Sequence, residues 1–99
     1  MMHETHEPPP MREIRVRVEG VDLDFEAASD LAKRVARRVG GEPLLLAWLD
    51  RDRDQAYPRV PECMHEPGWV AYAESRGAHL RVVVNQGAYV FLFCPGEEE

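Results

Sequence analysis

The stretch that decides the fold runs from Asp24 to Gly41 and reads DFEAASDLAKRVARRVGG. Apolar side chains recur in it at helical spacing and form one stripe, which consists of Phe25, Ala28, Leu31, Ala32, Val35, Ala36 and Val39. Asp24 is the predicted N-cap, with Asp22 as the alternative, because a short side-chain oxygen there accepts a bond from a free N–H of the first turn. Gly40 and Gly41 end the helix, since glycine readily adopts the conformation that closes one.

Strands are predicted on both sides of this helix. Residues 12–18 alternate strictly between apolar and charged side chains, which is typical of a strand with one wet face. Leu44 to Leu49 are apolar on both alternations, as in a central strand. Strand, helix and strand together predict a β-α-β unit with a right-handed crossover.

The rest of the chain is predicted to form a short edge strand and an antiparallel meander. The edge strand spans 55–60 and is confined to the sheet edge by Pro58, because proline cannot donate to the ladder. Residues 61–68 are predicted as a loop, and the meander consists of Trp69–Glu74, His79–Asn85 and Ala88–Cys94. Its two connections each carry a glycine, Gly77 and Gly87, where a hairpin loop needs a left-handed residue.

The predicted fold class is therefore α+β, with an N-terminal β-α-β unit followed by an antiparallel meander. One helix packs on one face of a five- or six-stranded sheet. Several strands are apolar on both sides, and one helix covers only one face. The second face must then be shielded by residues 50–68, by a second copy of the chain or by a ligand, because large exposed apolar patches are uncommon on monomers. We expect a homodimer, the commonest closed assembly.

The composition fits one small domain with solvated ends. Hydrophobic residues make up 44% and charged residues 30%, which excludes collagen-like and fully disordered chains. We predict a disordered tail at 1–11, a single domain at 12–94 and an acidic tail at 95–99. The two ends hold five glutamates, so the net charge of −6 belongs mainly to the tails. The apolar runs are too short to span a bilayer and no secretory signal is visible, so we expect a cytoplasmic protein without membrane association.

One candidate site is a metal site formed by Cys63, His65 and His79, which Cys94 could join. Thiolate and imidazole are ligands that zinc favours, although this spacing matches no known zinc pattern. The alternative is a buried cysteine with ordinary surface histidines. Asp50, Asp52 and Asp54 resemble the start of a calcium loop, but the sixth and twelfth positions hold Gln55 and Pro61 instead of Gly and Glu, which favours a charged hairpin turn.

A second candidate site is a ligand site, with aromatic rings as walls and carboxylates as polar groups. Its predicted residues are Trp48, Asp50, Tyr57, Tyr72 and Glu74. Glu74 would share a strand face with Val70 and Tyr72, or else lie at a wet strand end beside Arg76. A carboxylate paired with a tyrosine could do acid–base chemistry in a dimer cleft, but no catalytic residue is assigned.

The basic cluster of Lys33, Arg34, Arg37 and Arg38 could contact phosphates. Its simpler interpretation is a solvated helix face that complements the helix dipole. Aromatic residues do not interleave with it, so nucleic acid is not an expected partner. No phosphate loop or nucleophile elbow occurs, and no cofactor is expected.

Four runs of sequence resemble a small family of uncharacterised archaeal and bacterial single-domain proteins. The runs are Arg17–Ala28, Leu45–Arg51, Pro67–Gly77 and Val84–Phe93, and the resemblance covers about residues 11–94. It implies a compact α+β domain that occurs alone. The family has no assigned activity, so the resemblance transfers no functional residue.

The function itself does not follow from the sequence. The leading hypothesis is a small non-enzymatic binding domain that self-associates through a sheet face. The alternatives are a protein that binds a metal or a small ligand through Cys63, His65 and His79, and a small enzyme with carboxylates in a dimer cleft.

Overall fold

The fold is a five-stranded mixed sheet with a helix on each side. A computed structural model describes residues 11–60 and 67–96 of the 99-residue chain. Its elements are β1 (Arg12–Val16), α1 (Phe25–Val39), β2 (Leu44–Asp50), β3 (Gln55–Tyr57), α2 (Gly68–Ser75), β4 (Leu80–Val84) and β5 (Tyr89–Cys94). The predicted α+β class and the five-stranded sheet are confirmed, and a second helix is added to them.

The strands lie in the order β1-β4-β5-β2-β3, and the β1–β4 pair is parallel whereas the others are antiparallel. β1 and β2 therefore run in the same direction, as the predicted β-α-β unit requires. They are not neighbours, however, because the β4–β5 hairpin inserts between them. With strands about 4.8 Å apart, α1 carries the chain across about 14 Å of sheet, which a helix of 15 residues easily spans.

Helix α1 begins and ends where the sequence predicts. The Asp24 carboxylate accepts a hydrogen bond of 2.8 Å from the Ala27 N–H, so Asp24 rather than Asp22 is the N-cap. Gly40 and Gly41 both have positive φ, 156° and 69°, and end the helix. Glu26 in the first turn and Arg37 and Arg38 in the last suit the helix dipole.

The main core lies between α1 and the sheet. Three alanines, Ala28, Ala32 and Ala36, bring the helix close to the strands, and each is at most 1% exposed. The fully buried side chains opposite them are Leu80, Val82, Val84, Phe91 and Phe93. A completely buried Phe or Leu contributes about 1.5–3 kcal/mol through the hydrophobic effect, so this cluster supplies much of the driving force for folding.

The strand predicted at Trp69–Glu74 is wrong, because these residues form helix α2. An apolar run this short fits a buried strand or a buried helix equally well. Ala73 lies three positions after Val70 and four after Trp69, so it shares one side of a helix with both. The Pro67 carbonyl accepts from the N–H groups of Val70 and Ala71 at 3.1 Å, which sets the first turn.

The connection at 75–78 is correspondingly a helix end instead of a hairpin loop. Gly77 has φ 88°, and its N–H donates to the Glu74 carbonyl at 3.2 Å. The Ala78 N–H donates to the Ala73 carbonyl at 3.0 Å, which completes a Schellman cap. A left-handed glycine serves both structures, so the glycine alone did not distinguish them.

Helix α2 covers the second sheet face. The sequence predicts that residues 50–68, a second copy of the chain or a ligand shields this face. Val70 and Ala73 pack with Ala47, Val90 and Leu92 in a second buried cluster. The shield is thus a helix of the chain itself, formed just after the predicted loop. The predicted three-stranded meander is a two-stranded β4–β5 hairpin, because its first strand is helix α2. The hairpin turn at Asn85, Gln86 and Gly87 has three positive φ values of 50°, 60° and 98°.

The remaining predictions concern shorter segments. β1 ends at Val16, two residues before its predicted end, and the Val18 N–H donates instead to the Asn85 side-chain oxygen at 2.7 Å. β3 ends at Tyr57, and it lies at the sheet edge as predicted. Within 11–60 and 67–96, neither helix has the length and apolar character needed to cross a bilayer.

Candidate functional site

The two helices cover different parts of the sheet. α1 packs mainly on β4 and β5, whereas α2 packs mainly on β2 and β5. Two quarters of the sheet surface are therefore less covered: the α2 side of β1 and β4, and the α1 side of β2 and β3. The first carries charged residues, among them Glu13 and Arg15, which form an ion pair at 2.7 Å. The second carries aromatic rings and is the candidate site.

Three aromatic rings follow one another across this open quarter. Phe25 at the start of α1 lies against Trp48 of β2, with ring centroids 4.6 Å apart and planes tilted by 55°. Trp48 pairs across the ladder with Tyr57 of β3, and these two rings stack with centroids 6.1 Å apart and planes at 18°. The Tyr57 side of the stack lies at the sheet edge, and this residue is 51% exposed.

A groove runs along the exposed part of this stack. Its volume is about 420 Å³, and we call it the aromatic groove, lined by Trp48, Gln55, Ala56, Tyr57 and Arg59. Small-molecule sites are typically concave, mainly apolar and about 300–1,000 Å³ in volume. Among the described residues that line it, Arg59 carries the one charge, and Arg59 also borders the larger depression on the other side of β3.

A larger depression of about 530 Å³ lies on the other side of β3, next to α2. It mixes apolar residues such as Leu49 and Trp69 with Arg51 and Asp54. Val60 and Pro67 belong to its rim and flank residues 61–66, which lie outside the described ranges. We therefore assign no site to it.

Asp50 is buried and stabilises the turn after β2. It ends β2, is 3% exposed, and its carboxylate accepts from the Arg53 N–H at 3.3 Å, which caps the turn that follows. Across the ladder lies Tyr89, whose hydroxyl donates to the Leu23 carbonyl at 3.0 Å. Burial raises the pKa of Tyr89, and the nearby Asp50 carboxylate raises it further. Asp50 is not among the residues that line the aromatic groove.

The other predicted ligand residues lie on the opposite side of the sheet. Tyr72 is half-buried on α2, with the Arg76 guanidinium 3.9 Å from the centre of its ring. Glu74 is exposed near the end of α2 instead of sharing a strand face with Val70 and Tyr72. The fold thus brings Trp48 and Tyr57 together and separates both from Tyr72 and Glu74.

Of the predicted metal ligands, the structure describes His79 but not Cys63 and His65, which lie outside the described residues. His79 is exposed just before β4, with its ring Nδ1 3.4 Å from the Phe93 carbonyl. Cys94 ends β5 as a free, half-buried thiol. Within the described ranges, no three His, Cys, Asp or Glu side chains are grouped to hold a metal ion. The metal site stays a prediction.

Sequence reasoning missed Phe25, Gln55 and Arg59 as parts of the candidate site. Gln55 and Tyr57 alternate within β3 and so share one side of it, which could have added Gln55 to the site. Arg59 follows the end of β3, so strand alternation does not place it. The position of Phe25 could not be read in this way, because it depends on how α1 crosses the sheet.

Comparison with known proteins places the chain among relatives of similar size. An uncharacterised protein of Archaeoglobus fulgidus is 35% identical over 81 residues, which are 82% of this chain and 86% of that protein. A crystal structure of a novel protein from the same organism has a TM-score of 0.75 at 34% identity, over 90% of this chain and 99% of that one. The profile of a domain of unknown function, DUF5619, matches residues 11–93. The resemblance seen in the sequence is thereby confirmed, and the chain belongs to the DUF5619 family.

Proposed function

We propose that this chain is a small non-enzymatic binding domain and that its ligand site is the aromatic groove. The observation that carries the proposal is the stack of Trp48 and Tyr57 at the sheet edge, with Tyr57 51% exposed. An exposed ring that is already held parallel to a second ring forms a preorganised flat wall. A ligand that binds there pays little to order the protein.

The surrounding fold supports the same proposal. β2 is paired on both sides, with β5 and β3, so the backbone that carries Trp48 is fixed. Phe25 contacts Trp48 from the helix side and restricts the indole further. Rigid aromatic side chains supply contact area at low conformational cost. The Trp48 wall of the groove is therefore held in place by the fold.

A titration with a neutral aromatic compound tests the proposal. We expect 2-naphthalenemethanol to shift the amide resonances of β3 and the indole N–H of Trp48 in a heteronuclear NMR spectrum. Trp69→Phe identifies the second indole signal. Tyr57→Ala should weaken binding about two- to twelvefold, because it removes an aromatic contact of about 0.5–1.5 kcal/mol.

Tyr72→Ala is the matched control, since it removes a tyrosine from the other side of the sheet. Its affinity for the compound should equal that of the unaltered protein. Shifts confined to α2, or no shifts at millimolar compound, would contradict the proposed site.

Self-association through the same groove is a second candidate function. It is favoured by the exposed Tyr57 ring, now that α2 covers Val70, which is 9% exposed. The measurement is the mass by light scattering after size exclusion. A dimer that Tyr57→Arg converts to a folded monomer of about 11.3 kDa would support it. Val70→Arg is unsuitable as the test, because it would disrupt the contact between α2 and the sheet.

A further inference from the structure

The aromatic groove carries a positive charge. The charged group among the described residues that line it belongs to Arg59. Neither Glu nor Asp is found among those lining residues. A guanidinium presents several N–H donors in a planar fork that matches a carboxylate. The groove thus combines a flat apolar wall with a donor suited to an anion.

The stack also has a definite open end. Trp48 has two protein rings as neighbours, since Phe25 contacts it from α1 and Tyr57 stacks with it from β3. Tyr57 belongs to the edge strand, and no further strand of the described sheet lies beyond it. The next ring in such a series would have to come from a ligand. Offset stacking is the arrangement that aromatic pairs prefer.

The edge strand β3 is poorly suited to pairing with a further strand. β3 has three residues and is followed directly by Pro58, which lacks an N–H. Short edge strands and edge prolines are features that block strand addition. A compact ligand that uses side chains therefore fits the edge better than an extended peptide that needs the backbone.

From these observations we propose that the aromatic groove binds a small planar aromatic anion, such as an aromatic carboxylate. The ligand ring stacks on Tyr57, and its acidic group accepts hydrogen bonds from the Arg59 guanidinium. This proposal rests on the proposed function and adds the class of ligand. It involves binding alone, without bond formation or cleavage.

The test compares three probes on the full-length protein by NMR titration. 2-Naphthoate is planar and anionic, 2-naphthalenemethanol is planar and neutral, and cyclohexanecarboxylate is anionic but not planar. We expect 2-naphthoate to bind with the highest affinity, with shifts centred on Tyr57 and the Trp48 indole N–H. Arg59→Gln should weaken 2-naphthoate about two- to fivefold, the effect of an exposed ion pair, and leave the neutral probe unchanged.

Arg38→Gln is the matched control, because it removes an exposed arginine from the basic side of α1, away from the groove. It should leave all three affinities unchanged. Added salt should weaken 2-naphthoate and not 2-naphthalenemethanol, since screening acts on the ion pair alone.

The possible failures are distinct. Equal affinities for the charged and neutral planar probes would overturn the anion proposal and leave the binding domain standing. Tighter binding of cyclohexanecarboxylate than of 2-naphthoate would overturn the stacking part. Shifts of 2-naphthoate centred on Lys33 to Arg38 would also overturn the proposal, as they would indicate general attraction to the basic helix face. Absence of binding by every probe would overturn both the anion proposal and the proposed function.

Discussion

Tyr89 joins the core of the sheet to the loop before α1. Its ring is 5% exposed, and its hydroxyl donates to the Leu23 carbonyl at 3.0 Å. Burial raises the pKa of this phenol above its ordinary value of 10.0, and the carboxylates of Asp50, Asp52 and Asp24 add to the rise. The Tyr89 hydroxyl can donate this hydrogen bond only while it is protonated.

Tyr89→Phe should lower the free energy of unfolding by about 1 kcal/mol at neutral pH, because it removes a partly buried hydrogen bond. It should also change the alkaline behaviour. A pKa that is raised in the folded state stabilises the protein fully below the unfolded value, and that contribution is lost as the pH rises through the folded value. Urea denaturation should show stability falling more steeply above about pH 10 in the unaltered protein than in the variant. Parallel curves would contradict this role for Tyr89.

At the scale of elements, α1 depends on its cap. Asp24→Ala should destabilise the protein by about 1 kcal/mol, since it leaves the Ala27 N–H without its side-chain acceptor. Asp22→Ala is the control, because it removes the same group two residues earlier, from an exposed position outside the helix. Urea denaturation of the two variants gives the comparison. Equal losses in both would argue for a general charge effect instead of a cap.

The two helices also differ in how far the sequence alone predicts them. In α1 the N-cap, the apolar stripe and the final glycines all favour the same structure. In α2 the eight residues Gly68–Ser75 contain Trp, Val and Tyr, which favour strands, and they become helical through packing on β2 and β5. Gly77 is compatible with either outcome. The prediction failed where local preference and tertiary packing disagree.

The candidate site was predictable to the same extent as the elements that carry it. Trp48 and Tyr57 were predicted as aromatic walls of a ligand site, and the β2–β3 register brings them into contact. Tyr72 was predicted as a further wall and Glu74 as a polar group, but both predictions depended on a strand that is a helix. Which aromatic residues share a site is decided by strand order and helix placement, and neither is encoded in a short segment.

At the scale of the whole molecule, the sheet is enclosed from both sides by one short chain. α1 closes one side with small alanines, and α2 closes the other with Val70 and Ala73. This explains strands that are apolar on both alternations without requiring a second copy of the chain. The aromatic groove is left open where neither helix extends, which makes it a consequence of the unequal lengths and positions of the two helices.

The docking of α2 is therefore the contact on which the second half of the core depends. Ala73 is 0% exposed between α2 and the sheet, so Ala73→Arg has to displace the helix or bury a charge. We expect it to cost about 3 kcal/mol or more, measured by urea denaturation. Ser75→Arg, an exposed change two residues further on, should cost less than about 0.5 kcal/mol. Equal stability of the two variants would mean that α2 does not hold the second face closed, and that face would then replace the aromatic groove as the surface for self-association.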